Sequence, residues 1–331
     1  MKLLRRNWPF VLVVALLVAL QQILTRAGVE FYMTQITMSA CYALVVVGLC
    51  LLMGYAGQVS LGHAGFFAIG GYTAAALTLH LHWPTWVGLC AAILLASVVA
   101  LLIGLPVLRL RGHYLAMATL GFGLIVYRIV LGSESLGQAD GLSSVPPLDL
   151  FGGLRVSSSR AYRVQSYYIV WSAVLVAMWL AANLVRSRVG RALQAIHENE
   201  DAAHSLGIDT YRYKLAVFVL SAAFAAVGGV FATHFKGSIG PSEATVMYSV
   251  RYVAIVAVGG MSSLWGGLLM AVVLNFLSLR GTFGQHDDLV FGGILIGMML
   301  FAPDGLLLAG RSLWQRWRGG GESFAAGGTH G

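Results

Sequence analysis

The sequence predicts an all-α polytopic membrane protein, a bundle of about ten transmembrane helices with both termini on the cytoplasmic side. Its composition is the first observation: 58% of the 331 residues are hydrophobic, only 10% are charged, and the mean hydropathy is +0.79, whereas soluble domains carry about 25% charged residues. The second is a succession of apolar stretches that approach the roughly 20 residues a transmembrane helix requires. The third is the unequal distribution of Lys and Arg between the two sides that these stretches define.

The chain begins with a basic segment and a first span, residues 1–35. The apolar stretch Pro9–Thr25 follows Lys2, Arg5 and Arg6 in the manner of a signal peptide. Because no A-x-A cleavage site comes after it and further spans follow at once, we interpret it as an uncleaved first helix. The next spans are predicted at Ile36–Met53, His63–Leu81, Thr85–Leu108, His113–Leu131, Ser166–Val185 and Lys214–His234.

Glycines divide the last long apolar region, Tyr248–Leu279. The run Gly259-Gly260-Met261-Ser262-Ser263 separates two short spans, Tyr248–Val258 and Leu264–Leu279, and the first of these is short enough to be a segment that enters the membrane only partly. With a final span at Leu289–Leu308 the total is ten.

Charged residues sort across the predicted membrane. Ten spans place 13 of the 21 Lys and Arg residues on the inner side and seven on the outer side, with Arg128 within the fifth span. This sorting favours cytoplasmic termini, with a Gly-rich cytoplasmic tail at residues 310–331, and it accounts for the net charge of +8 without nucleic acid. No Asp or Glu falls within a proposed span, which argues against an ion-coupled carrier because such carriers bind their ion at buried ionisable groups.

The sequence lacks the motifs of common enzymes. None of the three lysines follows a glycine, so the P-loop motif G-x-x-x-x-G-K-[ST] is absent, and ATP-driven transport would require a separate ATPase subunit. His197-Glu198 is not followed by the second His of an H-E-x-x-H zinc site, and no G-x-S-x-G motif occurs. The three cysteines lie in apolar runs without metal-ligand spacing. We therefore expect neither an enzyme nor a metal or cofactor site.

Two glycine-rich interruptions are candidates for function. The first glycine segment, Gly54–Gly65, and the second glycine segment, Gly259–Gly267, share the short pattern Gly-x-x-Ser-Leu and suggest an internal pseudo-repeat. Small residues in such segments can simply let helices pack closely. Alternatively, they break the helices so that backbone groups line a polar cavity. On the second interpretation the predicted substrate pathway includes Gly57, Gln58, Ser60, Gly62, His63, Gly260 and Ser263.

Two long loops separate the predicted spans. The inner loop 186–213 contains short helical stretches with an apolar side, made of Ala and Ile residues and Leu206, and an acidic cluster. The acidic cluster is unsuited to an anionic lipid surface, so we interpret this apolar side as docked on a partner subunit rather than on lipid. The outer loop 132–165 is long for a connector and fits either a docking site for a soluble protein or a plain extracellular loop.

The chain resembles the LivM-type permease subunits of ABC importers for branched-chain amino acids. The resemblance covers residues 36–309 and is carried by GYAGQVSLGHAGFFAIGGY (Gly54–Tyr72), LRLRGHYLAMATLGFG (Leu108–Gly123), the loop Gly190–Ile208, and VGGMSSLWGG (Val258–Gly267). Within the loop, Asp-Ala-Ala-x-x-x-Gly is similar to the EAA motif of importers, with Asp replacing Glu. The resemblance implies an ATPase-coupling helix that includes Glu200, Asp201, Ala202, Ala203 and Gly207.

The resemblance also implies a heteromeric importer in the bacterial inner membrane. The expected partners are a second related permease of the LivH type, two ABC ATPase subunits that use ATP, and a soluble substrate-binding protein, and the expected cargo is leucine, isoleucine or valine. The alternatives are a permease of the same superfamily for urea, short amides or sugars, or an ion-coupled secondary carrier.

Overall fold

A computed structural model of the chain describes residues 2–150 and 153–280, together with 289–290, 292–293 and 296–297. The predicted tail 310–331 and most of the predicted final span Leu289–Leu308 lie outside the described residues. Within the described part the chain forms helices α1 (Lys2–Arg26), α2 (Phe31–Leu49), α3 (His63–His80), α4 (Thr85–Val107), α5 (His113–Gly132), α6 (Arg163–Arg186), α7 (Arg188–Glu198), α8 (Glu200–Ser205), α9 (Thr210–Lys236), α10 (Val246–Gly259) and α11 (Leu264–Leu279).

The described chain is a polytopic helical membrane protein. Each of the first nine predicted spans falls on one of these helices, with ends that differ by a few residues. Five helical segments are both long and apolar enough to cross a bilayer: Phe31–Tyr55, Thr85–Val107, His113–Gly132, Arg160–Arg186 and Thr210–Lys236. The helices α10 and α11 are apolar but shorter, with 14 and 16 residues. They pack against each other and form a short helical hairpin.

Helix α2 occupies the centre of the bundle. It packs against α9, α6, α11 and α10, and every residue of the helix from Gln35 to Leu49 is buried. A helix that is apolar on all sides requires such surroundings. It continues into a π-helical turn, Cys50–Tyr55, a rare geometry that is frequent at functional sites. The described core is therefore arranged around the helix that leads into the first glycine segment.

Small residues let α2, α3 and α9 approach closely. A Cβ at Gly48 would lie 2.9 Å from the carbonyl oxygen of Ser221, and one at Gly228 would lie 2.6 Å from that of Cys41. At Gly70 a Cβ would overlap the backbone of Ala226. Close backbone approach through small residues is a common way for membrane helices to associate, because lipid provides no hydrophobic driving force between helices.

The described residues also form four short strands, so the all-α prediction is not complete. Strand β1 (Leu142–Ser143) pairs with β4 (Ser238–Ile239), and β2 (Leu148–Leu150) pairs with β3 (Leu154–Val156), both antiparallel. They lie in the loop after α5 and just after α9, at the end of the bundle that we call the strand end. Their backbone hydrogen bonds order loops that helix periodicity alone cannot predict. The opposite end, where α7 and α8 lie, is the α7–α8 end.

Candidate functional site

The two glycine segments meet in the structure. Tyr55, at the end of the π-helical turn, donates its hydroxyl proton to the carbonyl oxygen of Ser262 at 2.8 Å. A Cβ at Gly54 would overlap the backbone of Met261. The short sequence pattern that the two segments share is therefore accompanied by direct contact between the breaks in two helical elements.

The backbone of each break is closed by local hydrogen bonds. In the first segment, Gly57 has a φ of +66°, which glycine adopts without steric cost, and the next amide, that of Gln58, donates to the carbonyl oxygen of Leu52 at 3.1 Å. In the second segment, Gly260 has a φ of +92°, and the Ser263 hydroxyl caps α11 by accepting from the Gly266 amide at 3.1 Å.

Most of the polar side chains predicted to line a pathway are buried within this chain. The imidazole of His63 has no exposed surface; its Nδ1 lies 3.0 Å from the hydroxyl of Ser60, and its Nε2 lies 2.6 Å from that of Ser221. Both ring nitrogens are thus occupied by a network that joins the start of α3 to the middle of α9. Such a network fixes the position of the first glycine segment.

The other predicted pathway residues range from buried to exposed. Gly62 is buried, and a Cβ there would lie 2.6 Å from the carbonyl oxygen of Thr119. Gln58 is also buried, and its side-chain amide has no hydrogen-bond partner within the described part of the chain. Gly260 is buried and Ser263 is half-buried, whereas Gly57 is exposed.

Exposed residues of the two segments include the predicted Gly57 and three that sequence reasoning missed, Val59, Met261 and Ser262. Val59 and Met261 are each 40% exposed, and Gly57 and Ser262 are also exposed. Their types carry no recognisable chemical signal, since the exposure depends on which side of each break faces away from the bundle. We call these four residues the glycine-segment face.

Helices α7 and α8 lie next to the first glycine segment. A Cβ at Gly57 would lie 2.7 Å from Nδ1 of His197, which is in the last turn of α7. The Ser187 side chain caps α7, and the Asn199 side chain caps α8 by accepting from the Ala202 amide at 3.0 Å. Gly207, with a φ of +83°, ends the second helix in the way that a left-handed glycine commonly does.

Part of the apolar side of these helices packs against this chain itself, and for that part the interpretation that it docks on a partner is corrected. Leu193, Ile196 and Ala203 are buried against neighbouring elements that include α6 and α9. Ala202 is exposed, and Leu206 is 81% exposed. Burial of apolar area within the bundle takes precedence wherever a helix can fold back on its own chain, so the outward-facing residues of α7 and α8 are the part of these helices that another protein can contact.

Ion pairs hold α8 in place. Glu200 pairs with Lys214 of α9 at 2.5 Å and with Arg111 of the α4–α5 turn at 3.7 Å. Asp201 pairs with Arg111 at 3.1 Å, and this bond to the Asp201 carboxylate, with the charge of Glu200, raises the pKa of Arg111. Of the residues predicted for coupling, Glu200 and Ala203 therefore anchor the helix, whereas Asp201, Ala202 and Gly207 are exposed.

Comparison with known proteins gives the family of this chain. The family described as "Branched-chain amino acid transport system / permease component" matches residues 31–302. The high-affinity branched-chain amino acid transport system permease protein LivM of Escherichia coli is 35% identical over 292 residues, which cover 82% of this chain and 68% of that protein.

Two further relatives belong to transport systems with the same description. The permease protein LivH of Salmonella typhimurium is 27% identical, over 82% of this chain and 92% of that protein. The permease protein BraD of Pseudomonas aeruginosa is 29% identical, over 82% of this chain and 93% of that protein. No solved structure matches the chain significantly. With its apolar helices and the two glycine segments in contact, the chain belongs to the family of permease components of branched-chain amino acid transport systems.

Proposed function

We propose that this chain is a transmembrane subunit of an ATP-driven importer that carries leucine, isoleucine or valine into the cytoplasm. The observation that carries the proposal is its similarity to LivM of Escherichia coli over 82% of the chain. A second permease of the LivH type, two ATPase subunits and a soluble binding protein complete the proposed assembly in the bacterial inner membrane. ATP hydrolysis belongs to the ATPase subunits, because this sequence contains no P-loop.

We infer that the α7–α8 end faces the cytoplasm and receives the ATPase. The exposed residues Asp201, Ala202, Leu206 and Gly207 offer a small surface that α7 connects to the first glycine segment through His197. A displacement of these helices by the ATPase would therefore press on Gly57. Through this contact, movements of the ATPase during ATP binding and hydrolysis would be transmitted to the helix breaks.

The substrate pathway is proposed to run along the glycine-segment face. Gly57, Val59, Met261 and Ser262 are exposed there, while the buried Ser60–His63–Ser221 network holds the backbone behind them. Glycine and serine at broken helices suit the polar part of an amino acid, and the exposed Val59 and Met261 suit its apolar side chain. Because a permease must also release its cargo, we expect this surface to bind weakly.

The decisive experiment is uptake by the reconstituted assembly. Proteoliposomes that contain this chain, its partner permease and the ATPases, with binding protein outside and ATP inside, are expected to accumulate radiolabelled leucine, isoleucine or valine. Uptake that persists without ATP and collapses with the ion gradient would instead establish an ion-coupled carrier. Uptake of urea, acetamide or a sugar in place of the three amino acids would establish the other permease class.

The coupling surface is tested by a matched pair of substitutions. Leu206→Glu changes a residue that is 81% exposed, and Leu154→Glu changes one that is 49% exposed at the strand end. We expect only Leu206→Glu to reduce the amount of ATPase that co-purifies with the chain. Equal ATPase recovery from the two variants would refute the assignment of this surface.

A further inference from the structure

A buried carboxylate and the ammonium group of a partly exposed lysine lie together at the strand end. Helix α9 ends at Lys236, and the chain then turns through β4 and the 3₁₀ turn Pro241–Ala244. This turn brings Oε1 of Glu243 to 2.5 Å from Nζ of Lys236. Glu243 is only 7% exposed, whereas 34% of the Lys236 side chain is exposed. The partly exposed Lys236 side chain therefore connects the buried carboxylate to the surface of the described bundle.

Tyrosines surround this pair. Lys236 donates to the hydroxyl oxygen of Tyr42 at 3.3 Å, and its ammonium lies 5.9 Å from the centre of that ring. The rings of Tyr42 and Tyr252 have centres 6.2 Å apart, and Phe67 stacks on Tyr42 at 5.6 Å. The carboxylate of Glu243 interacts electrostatically with the hydroxyl groups of Tyr42, Tyr72 and Tyr252. Apolar ring faces and polar hydroxyls thus adjoin the same two charges.

Several polar atoms here have no partner within the described part of the chain. They are Oε2 of Glu243 and the hydroxyl oxygens of Tyr72 and Tyr252, on side chains that are all buried. Buried polar groups in native proteins are almost always hydrogen-bonded, because an unmet one costs free energy. A carboxylate oxygen without a hydrogen-bond partner can accept from a ligand, and tyrosine hydroxyls without a partner near an ammonium group can donate to a ligand anion.

We propose that Lys236 and Glu243 bind the zwitterionic head of the transported amino acid, an inference that rests on the proposed function. The α-ammonium group of the amino acid donates to Oε2 of Glu243. Its α-carboxylate accepts from Lys236 and from the nearby tyrosine hydroxyls. Its branched side chain enters the aromatic cluster, whose rings are buried in this conformation, so binding requires the rings to move apart. Because the ion pair and the zwitterion are both neutral overall, binding buries no net charge.

The position of this site fits an early stage of transport. Tyr42 precedes Tyr55 by 13 positions in the sequence, which in a helix corresponds to about 20 Å. The site therefore lies well away from the glycine-segment face, toward the end of the bundle opposite α7 and α8. An amino acid released by the binding protein would meet this site first and the glycine segments second.

Direct binding and transport test the proposal on the complete purified transporter. The double variant Lys236→Met/Glu243→Gln removes both charges, so that neither is left buried and unpaired. The control is Glu134→Gln, which changes an exposed carboxylate of the outer loop. Binding is measured without binding protein by saturation-transfer NMR with leucine, with 4-methylpentanoate, which lacks the ammonium group, and with 3-methylbutylamine, which lacks the carboxylate.

We expect the wild type and the control to bind leucine in preference to either analogue. In the double variant, leucine binding is expected to fall about tenfold, to the level of the analogues, as the loss of a charged hydrogen-bonding pair predicts. Leucine uptake is expected to fall by a similar factor, while the ATPase subunits still co-purify.

Unchanged leucine binding and uptake in the double variant would overturn the site, as would a wild type that binds the analogues as well as leucine. Loss of assembly in the double variant, with leucine preference retained in the single variant Glu243→Gln, would also overturn it by assigning the pair a purely structural role. Failure of the proposed function has a different signature, since the wild type would then show no ATP-dependent leucine uptake.

Discussion

The contact between the two glycine segments makes Gly54 a position where one methyl group should have a large effect. A Cβ at Gly54 would overlap the carbonyl group of Met261 and lie 3.2 Å from the amide nitrogen of Ser262. These are backbone atoms, which cannot rotate away as the end of a flexible side chain can. Gly54→Ala must therefore displace either the π-helical turn or the turn between α10 and α11.

The magnitude follows from the interactions that this displacement disturbs. Inserting a methyl group into a packed interior costs about 1–3 kcal/mol. Loss of the hydrogen bond from Tyr55 to the Ser262 carbonyl costs about 1 kcal/mol more. The higher helix propensity of Ala offsets about 1 kcal/mol of this cost. We therefore expect the free energy of unfolding to fall by about 1–3 kcal/mol.

Thermal unfolding followed by tryptophan fluorescence measures this effect. Trp265 in α11 lies 5.0 Å from Phe10, centre to centre, and reports on the hairpin next to the contact. The matched control is Gly121→Ala in α5, where a Cβ would meet nothing within 4 Å, and its stability should stay the same or rise. If Gly54→Ala unfolds at the same temperature as Gly121→Ala, the close contact between the two segments does not exist in the protein.

Three further predictions concern α8 and its supports, each measured as the midpoint of thermal unfolding. Lys214→Met leaves the partly buried Glu200 without its nearest cation and should lower the free energy of unfolding by about 1–3 kcal/mol. The control Arg212→Met breaks only an exposed pair and should lower it by less than about 1 kcal/mol. Equal losses of stability in the two variants would contradict the burial assigned to Lys214. Asn199→Ala removes the cap of α8 and should cost about 1 kcal/mol, with less ATPase recovered; an unchanged midpoint would count against the cap. Gly207→Ala forces a left-handed backbone where the space is open and should cost about 1–2 kcal/mol, while Gly207→Asn should cost less; the reverse order would refute the backbone argument.

The helices and the breaks between them could be predicted from sequence because they depend on local composition. Apolar length sets where a helix can span a bilayer, and glycine runs set where it stops, so the segments Ile36–Met53 and Leu264–Leu279 were placed within a few residues. The short strands were not predicted, since β1 and β4 are separated by a long stretch of chain and neither has enough residues to show an alternating pattern.

The candidate site could be predicted only in part. The choice of the two glycine segments was informative, because they contact each other across 207 positions of sequence. Exposure was not predictable: His63 has the polarity expected of a pathway residue, yet it is fully buried against Ser221, which is 158 positions away. Similarly, the apolar side of α7 and α8 predicts a partner, but the bundle of this chain covers Ile196 and Ala203 and leaves only residues such as Leu206 exposed.

Composition and contiguous motifs are enough to establish the membrane class, the helical architecture, the absence of a P-loop and the resemblance to LivM-type permeases. Each of these depends on residues that are close in sequence, on composition or on a contiguous motif. The tertiary structure decided which polar groups share a site. Lys236 and Glu243 are only seven positions apart, but the pair is a candidate binding site because Tyr42 contacts it, and Tyr42 lies 194 positions from Lys236. Such a cluster forms only when packing of α2, α3, α9 and α10 brings distant side chains together, and sequence spacing carries no record of that packing.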